Sequence, residues 1–161
     1  MAKQKILIQI QQKTVKISKE QTINKIDQIL KALGYDKHEI SVVITDNAHI
    51  RELNHLYRGI DAPTNVLSFS MLEGEFGSIG NLLGDLVVSA ERAEEEAREF
   101  SITTDERMSQ LLIHGILHLI GYDHDDQSED DEFVSENFRE MERKSLEILS
   151  LIEPNKNLDF F

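Results

Sequence analysis

The chain contains no cysteine, which excludes a disulfide framework and any thiolate metal site, so a bound metal would have to be held by His, Asp or Glu. Tryptophan is absent too, and proline occurs only twice. No apolar run approaches the roughly 18 to 20 residues of a membrane span. The opening stretch MAKQKILIQIQQK lacks the apolar core and small-residue cleavage site of a signal peptide. These absences predict a cytoplasmic protein with no membrane association. Positive charge is scarce as well, with 17 Lys and Arg against 30 Asp and Glu and a net charge of −13. Taken globally, that argues against holding nucleic acid by counterion release.

The charge is unevenly distributed, however. Residues 1 to 60 carry ten Lys and Arg against six Asp and Glu, whereas residues 61 to 161 carry seven against twenty-four. Much of the acidity lies in ERAEEEAREF (Glu91 to Phe100) and DHDDQSEDDE (Asp123 to Glu132), both of which read as solvated surface. The length of 161 residues suits one domain that buries a continuous core.

ILIQI (Ile6 to Ile10) alternates at period two and reads as a strand. Ser18-Lys19-Glu20-Gln21 has capping-box spacing, Ile23, Ile26, Leu30 and Leu33 follow at helical intervals, and Gly34 suits the stop. Glu39 to Asp46 reads as a second strand, and Ile50, Leu53, Leu56 and Tyr57 mark a short helix ending at Gly59. Val66 to Ser70 and Gly84 to Ser89 read as strands on either side of a loop with Gly74, Gly77 and Gly80. Glu91 to Phe100 reads as a helix. The next helix, capped by Thr104 or Asp105, runs through ERMSQLLIHGILHLIG and is apolar around most of its circumference, so it should be buried. A last amphipathic helix is expected over about Asp130 to Leu151. With no repeat and no linker, the expected fold is α+β: one domain with a small mixed sheet packed with helices.

The buried helix carries unusual chemistry. HGILHLIGYDH (His114 to His124) holds three of the six histidines in eleven residues. His114 and His118 are four apart, so they share one helix face a single turn apart. Gly121 would end the helix, and the reversing chain could bring His124 to the same point. Imidazoles on a face of Leu and Ile cost desolvation unless they are partnered. Three histidines fit one zinc ion and leave a fourth position open, as in catalytic rather than structural sites. The arrangement predicts a metal site on a buried helix, with Asp123 a candidate acceptor behind a ligand. Gly115, costly inside a helix, suggests room for substrate or another backbone beside the metal.

The spacing H-x-x-x-H-x-x-G-x-x-H also matches metzincin proteases, but their general-base glutamate is replaced by Gly115. A metal without an adjacent carboxylate can still polarise a phosphoryl oxygen, given a cation for the developing charge. Arg58 is the candidate for that cation. RGIDAPTNVLSF, LLGDLVVS and HGILHLIGYDH together resemble the signatures of the YbeY family of bacterial endoribonucleases, over about Ser41 to Glu153.

That resemblance implies an α+β fold, cleavage of single-stranded RNA, and roles in ribosomal RNA maturation, at the 3′ end of the small-subunit RNA, and in ribosome quality control. Matched residue by residue, it implies metal ligands at His114, His118 and His124, one zinc per chain, and catalytic roles for Arg58 and His114. Ribosomal RNA and ribosome-associated proteins are the implied partners; DNA is not. Two positions depart from the commonest motif: Asn65 stands where Asp is usual, and Ser70 where proline often follows Phe69. Lys3, Lys5, Lys13, Lys16 and Arg58 are expected to supply the RNA-facing surface. The alternatives are a metalloprotease-like hydrolase, and a non-catalytic ribosome-associated protein that zinc merely stiffens.

Overall fold

Four short strands form one mixed sheet whose two faces meet different helices. The computed structural model describes residues 5–71, 81–122 and 131–153, the side chains of 131–138 excepted. The strands are β1 (Ile6–Ile10), β2 (Glu39–Thr45), β3 (Val66–Ser70) and β4 (Leu82–Ser89), in the spatial order β1-β2-β4-β3. β1, β2 and β4 run parallel, and β3 pairs antiparallel with β4 at the edge, Val66 opposite Val88 and Ser70 opposite Gly84.

Alternation assigns each strand residue to a face. On one face Ile6, Ile8, Ile40, Val42, Ile44, Leu86 and Val88 join the main core with α1 (Lys19–Leu33), α4 (Thr104–Leu119) and α5 (Asp131–Ile152). On the other, Val43, Leu67, Phe69 and Val87 form a smaller cluster with Ile50 and Leu53 of α2 (Asn47–Arg58). α3 (Ala90–Phe100) follows β4 directly. Among the described residues no helix is long and apolar enough to cross a membrane.

β1, β3 and α1 fall where the sequence puts them. Ser18 caps α1 by accepting from the Gln21 N–H, and Gly34 closes it. α2 begins earlier than its apolar spacing suggests, because Asp46 is not the end of β2 but the N-cap, its carboxylate accepting from the His49 N–H at 2.9 Å. Likewise α4 is capped by Thr103, whose hydroxyl accepts from Glu106 N–H, rather than by Thr104 or Asp105. α4 is apolar nearly all round because it lies between the sheet and α5, and Met108, Leu112, Ile113, Ile116 and Leu117 are all buried. The loop glycines 74, 77 and 80 lie outside the described residues.

Candidate metal centre

The last two turns of α4 carry the histidine pair. His114 and His118 are half-buried, their rings meet edge to face at 4.5 Å between centroids, and their Nε2 atoms are 3.0 Å apart. Two imidazoles on one tetrahedral zinc, with Zn–N near 2.0–2.1 Å, hold their nitrogens about 3.3 Å apart. The pair needs only a small opening to meet that requirement, so the donor set fits zinc. His124 and Asp123 lie outside the described residues. Among the described residues no third His, Asp or Glu joins the pair.

Three features hold this end of α4 in place. The chain turns after Leu119 with Gly121 at positive φ, so that Gly121 N–H donates to the His118 carbonyl and Tyr122 N–H to the Leu117 carbonyl. From the edge strand, Ser68 Oγ donates to the Gly115 carbonyl at 3.2 Å and Ser70 Oγ to the Leu119 carbonyl at 2.9 Å. The two hydroxyls bracket His118 and fasten its turn to β3. Sequence reasoning singles out the stretch VLSFS as a strand and overlooks these serines. The period-two placement of Val66, Ser68 and Ser70 on one face is the available signal.

Of the two uses expected for the room at Gly115, the structure favours the close approach of another part of the chain. A Cβ there would stand 2.8 Å from Leu86 Cδ2 and 3.2 Å from Val66 Cγ2, so the glycine lets α4 settle on β3 and β4 rather than admitting substrate. Leu86 is fully buried and has nowhere to swing. Gly115→Ala is therefore expected to lower stability by about 1–2 kcal/mol, overpacking outweighing the gain of about 1 kcal/mol in helix propensity. A thermal melt showing a Tm equal to or above wild type would contradict this. The same crowding leaves little space for the glutamate that a metzincin carries at this position.

Arg58 lies across the sheet from the histidines. It ends α2, which packs on the Leu67 and Phe69 face of β3, whereas α4 packs on the Val66, Ser68 and Ser70 face. Its guanidinium makes one long contact, Nη1 to Asn54 Oδ1 at 3.4 Å. Asn54, itself buried, donates to the Ala62 carbonyl and so fixes the turn that follows α2. Of the expected basic surface, Lys5 donates to the Asp36 carbonyl, and Lys16 lines a cleft beside Asp105 in the first turn of α4, away from the histidines. Lys3 lies outside the described residues.

Asn65 explains its own departure from the motif. Its amide donates to both carboxylate oxygens of Glu96 at 3.3 Å, and Glu96 is also bound by Arg107 Nε at 3.0 Å. An Asp here would set a second carboxylate against a nearly buried one. This network joins the entry of β3 to α3 and α4, and sequence reasoning misses it because its members are far apart in the chain.

The model for the family described as endoribonuclease YbeY matches residues 7–152. The chain belongs to that family. An endoribonuclease YbeY from Geobacter sulfurreducens is 43% identical over 150 residues, covering 92% of this chain and 96% of that protein. Another, from Aquifex aeolicus, is 42% identical over 148 residues, covering 92% and 93%. The Geobacter metallireducens member is 45% identical over 128 residues, covering 79% and 81%. A Thermotoga maritima protein solved in solution superposes with a TM-score of 0.54 at 27% identity, covering 94% of this chain and 99% of that one. For a YbeY-family chain, the α+β architecture is thus as expected.

Proposed function

We propose that this protein is a cytoplasmic, zinc-dependent endoribonuclease acting on single-stranded segments of ribosomal RNA, in maturation of the small-subunit 3′ end and in ribosome quality control. The observation that carries the reading is the convergence of the His114 and His118 nitrogens on the motif helix of a chain matched along residues 7–152 by an endoribonuclease family. His114 and His118, with His124 as third ligand, would hold one zinc ion. Zinc bound there would supply a Lewis acid to the phosphodiester. Arg58 would supply guanidinium donors to phosphate oxygens, since all but one of them are without a protein partner among the described residues.

The sheet sets the path of the RNA. With α2 and Arg58 on one face and the histidines on the other, a strand that touches both would pass the edge of the sheet at β3, the outermost strand among the described residues. A flexible single strand can bend round one β-strand; a duplex, with a persistence length of about 150 base pairs, cannot. This supports single-strand preference.

The reading is tested with an end-labelled ribosomal RNA precursor and identically prepared wild type and Arg58→Ala. Wild type is expected to cut and Arg58→Ala to cut at least about ten-fold more slowly, as for loss of a charged donor that grips the RNA backbone. The fragment ends then distinguish attack by water from attack by the RNA's own 2′-hydroxyl. Equal cutting by both preparations would point to a contaminating nuclease and remove the catalytic reading. Tight RNA binding with no cutting under any condition would leave the zinc-stiffened binding protein instead.

A further inference from the structure

At the C-terminal end of α2 the surface combines features that the core does not require. Tyr57 is 62% exposed, yet its ring is held edge to face against Phe69, with centroids 5.1 Å apart and planes at 67°. Phe69 is itself anchored in the cluster of Ile50, Leu67 and Val87. The tyrosine is thus positioned by a partly buried neighbour while most of its surface stays in water. Leu56 and Ile60 are exposed beside it in the chain, at 72% and 43%. Arg58 is the next residue, its guanidinium tied, among the described residues, only by the long contact to Asn54.

We propose that Tyr57 is a stacking platform for one unpaired base of the RNA, with Arg58 holding an adjoining phosphate. This rests on the ribonuclease reading and adds a base-contacting residue to it. A fixed, exposed aromatic ring beside a guanidinium with spare donors matches a nucleotide, which presents a π-face and an anion together. Duplex RNA keeps its bases stacked on one another and offers only its end pairs to such a ring. Because Phe69 belongs to β3, the base would sit beside the same edge strand whose serines fasten the histidine turn. Tyr57 would therefore fix which nucleotide crosses that edge, and with it the register of cleavage.

The test uses the full chain with Tyr57→Leu and Tyr57→Phe, and a fluorescein-labelled unstructured oligoribonucleotide as probe, with its base-paired duplex beside it. Leucine keeps an apolar side chain without a π-face; phenylalanine keeps the ring without the hydroxyl. The expected result is a Kd for the single strand raised about ten- to a hundred-fold by Tyr57→Leu. Tyr57→Phe should stay within about three-fold of wild type, and the duplex Kd should be unchanged throughout. If leucine serves as well as tyrosine, the surface is an apolar face for a protein partner and the proposal is overturned. If phenylalanine is as damaging as leucine, the hydroxyl and not stacking is at work, and it is overturned equally. Failure of wild type to bind or cut any single-stranded RNA would instead remove the ribonuclease reading itself. Because Tyr57 lies outside the core, Tyr57→Phe should leave the melting curve unchanged, and Tyr57→Leu, which loses the ring contact with Phe69, should lower Tm by no more than about 2–6 °C.

Discussion

His118→Ala is expected to reduce bound zinc from about one ion per chain to none and to slow RNA cleavage by more than about 100-fold. Even residues that merely orient a ligand cost about 10–100-fold in metal affinity or activity when removed, and loss of a ligand should exceed that. The fold should survive. Alanine favours the helix more than histidine does, and the His118 carbonyl keeps its bond from Gly121 N–H whatever the side chain. The variant should therefore show wild-type circular dichroism, and in chelator its Tm should approach that of metal-free wild type. Zinc measured after dialysis, together with the cleavage assay, checks both halves. Retention of one zinc per chain at full activity would move the metal site elsewhere.

Gly84→Ala should be more damaging to stability than Gly115→Ala, with a loss of about 3 kcal/mol or more. Gly84 has φ +147, which side-chain-bearing residues rarely adopt. A Cβ would also fall within the van der Waals envelope of the Phe69 carbonyl oxygen and 2.9 Å from Leu119 Cδ2. Neither strand can yield easily, because Gly84 faces Ser70 in the β3–β4 ladder and Ser70 holds the end of α4. For a chain of this size the loss corresponds to a Tm about 6–12 °C lower. Zinc affinity should fall with it, since the displaced groups are those that set the histidine turn. A Tm within about 2 °C of wild type would show that the strand pair relaxes without cost.

Local pattern reveals what local physics determines. The bounds of β1 follow from alternation, those of β3 from a short apolar run, those of α1 from its caps, and the histidine spacing alone puts two nitrogens on one helix face. What depends on the third dimension is misread or missed. Asp46 and Thr103 act as caps only because the chain leaves the preceding segment at that residue, a choice that composition does not encode. Gly115 reads as space for substrate or for another backbone, because the sequence does not show that it is Leu86 and Val66 that press against it. The sequence also does not show that α2, which ends at Arg58, and α4, which carries the histidines, pack on opposite faces of the sheet. Glu96 sits in what reads as a solvated acidic run, yet it is buried and is bound by Asn65, Arg92 and Arg107.

The docking of α4 on β3 also orders events in time. During synthesis all four strands emerge before the helix that bears the histidines, so the surface that receives that helix can be in place before the helix leaves the ribosome. An isolated 16-residue helix is marginal in water, and this one gains its partners, Ser68, Ser70, Leu86 and Val66, only by landing on the finished edge. Nuclease competence would then be acquired only after the sheet is built. A nascent chain, still tethered beside the ribosomal RNA it is proposed to cut, would carry an incomplete site until α4 has docked.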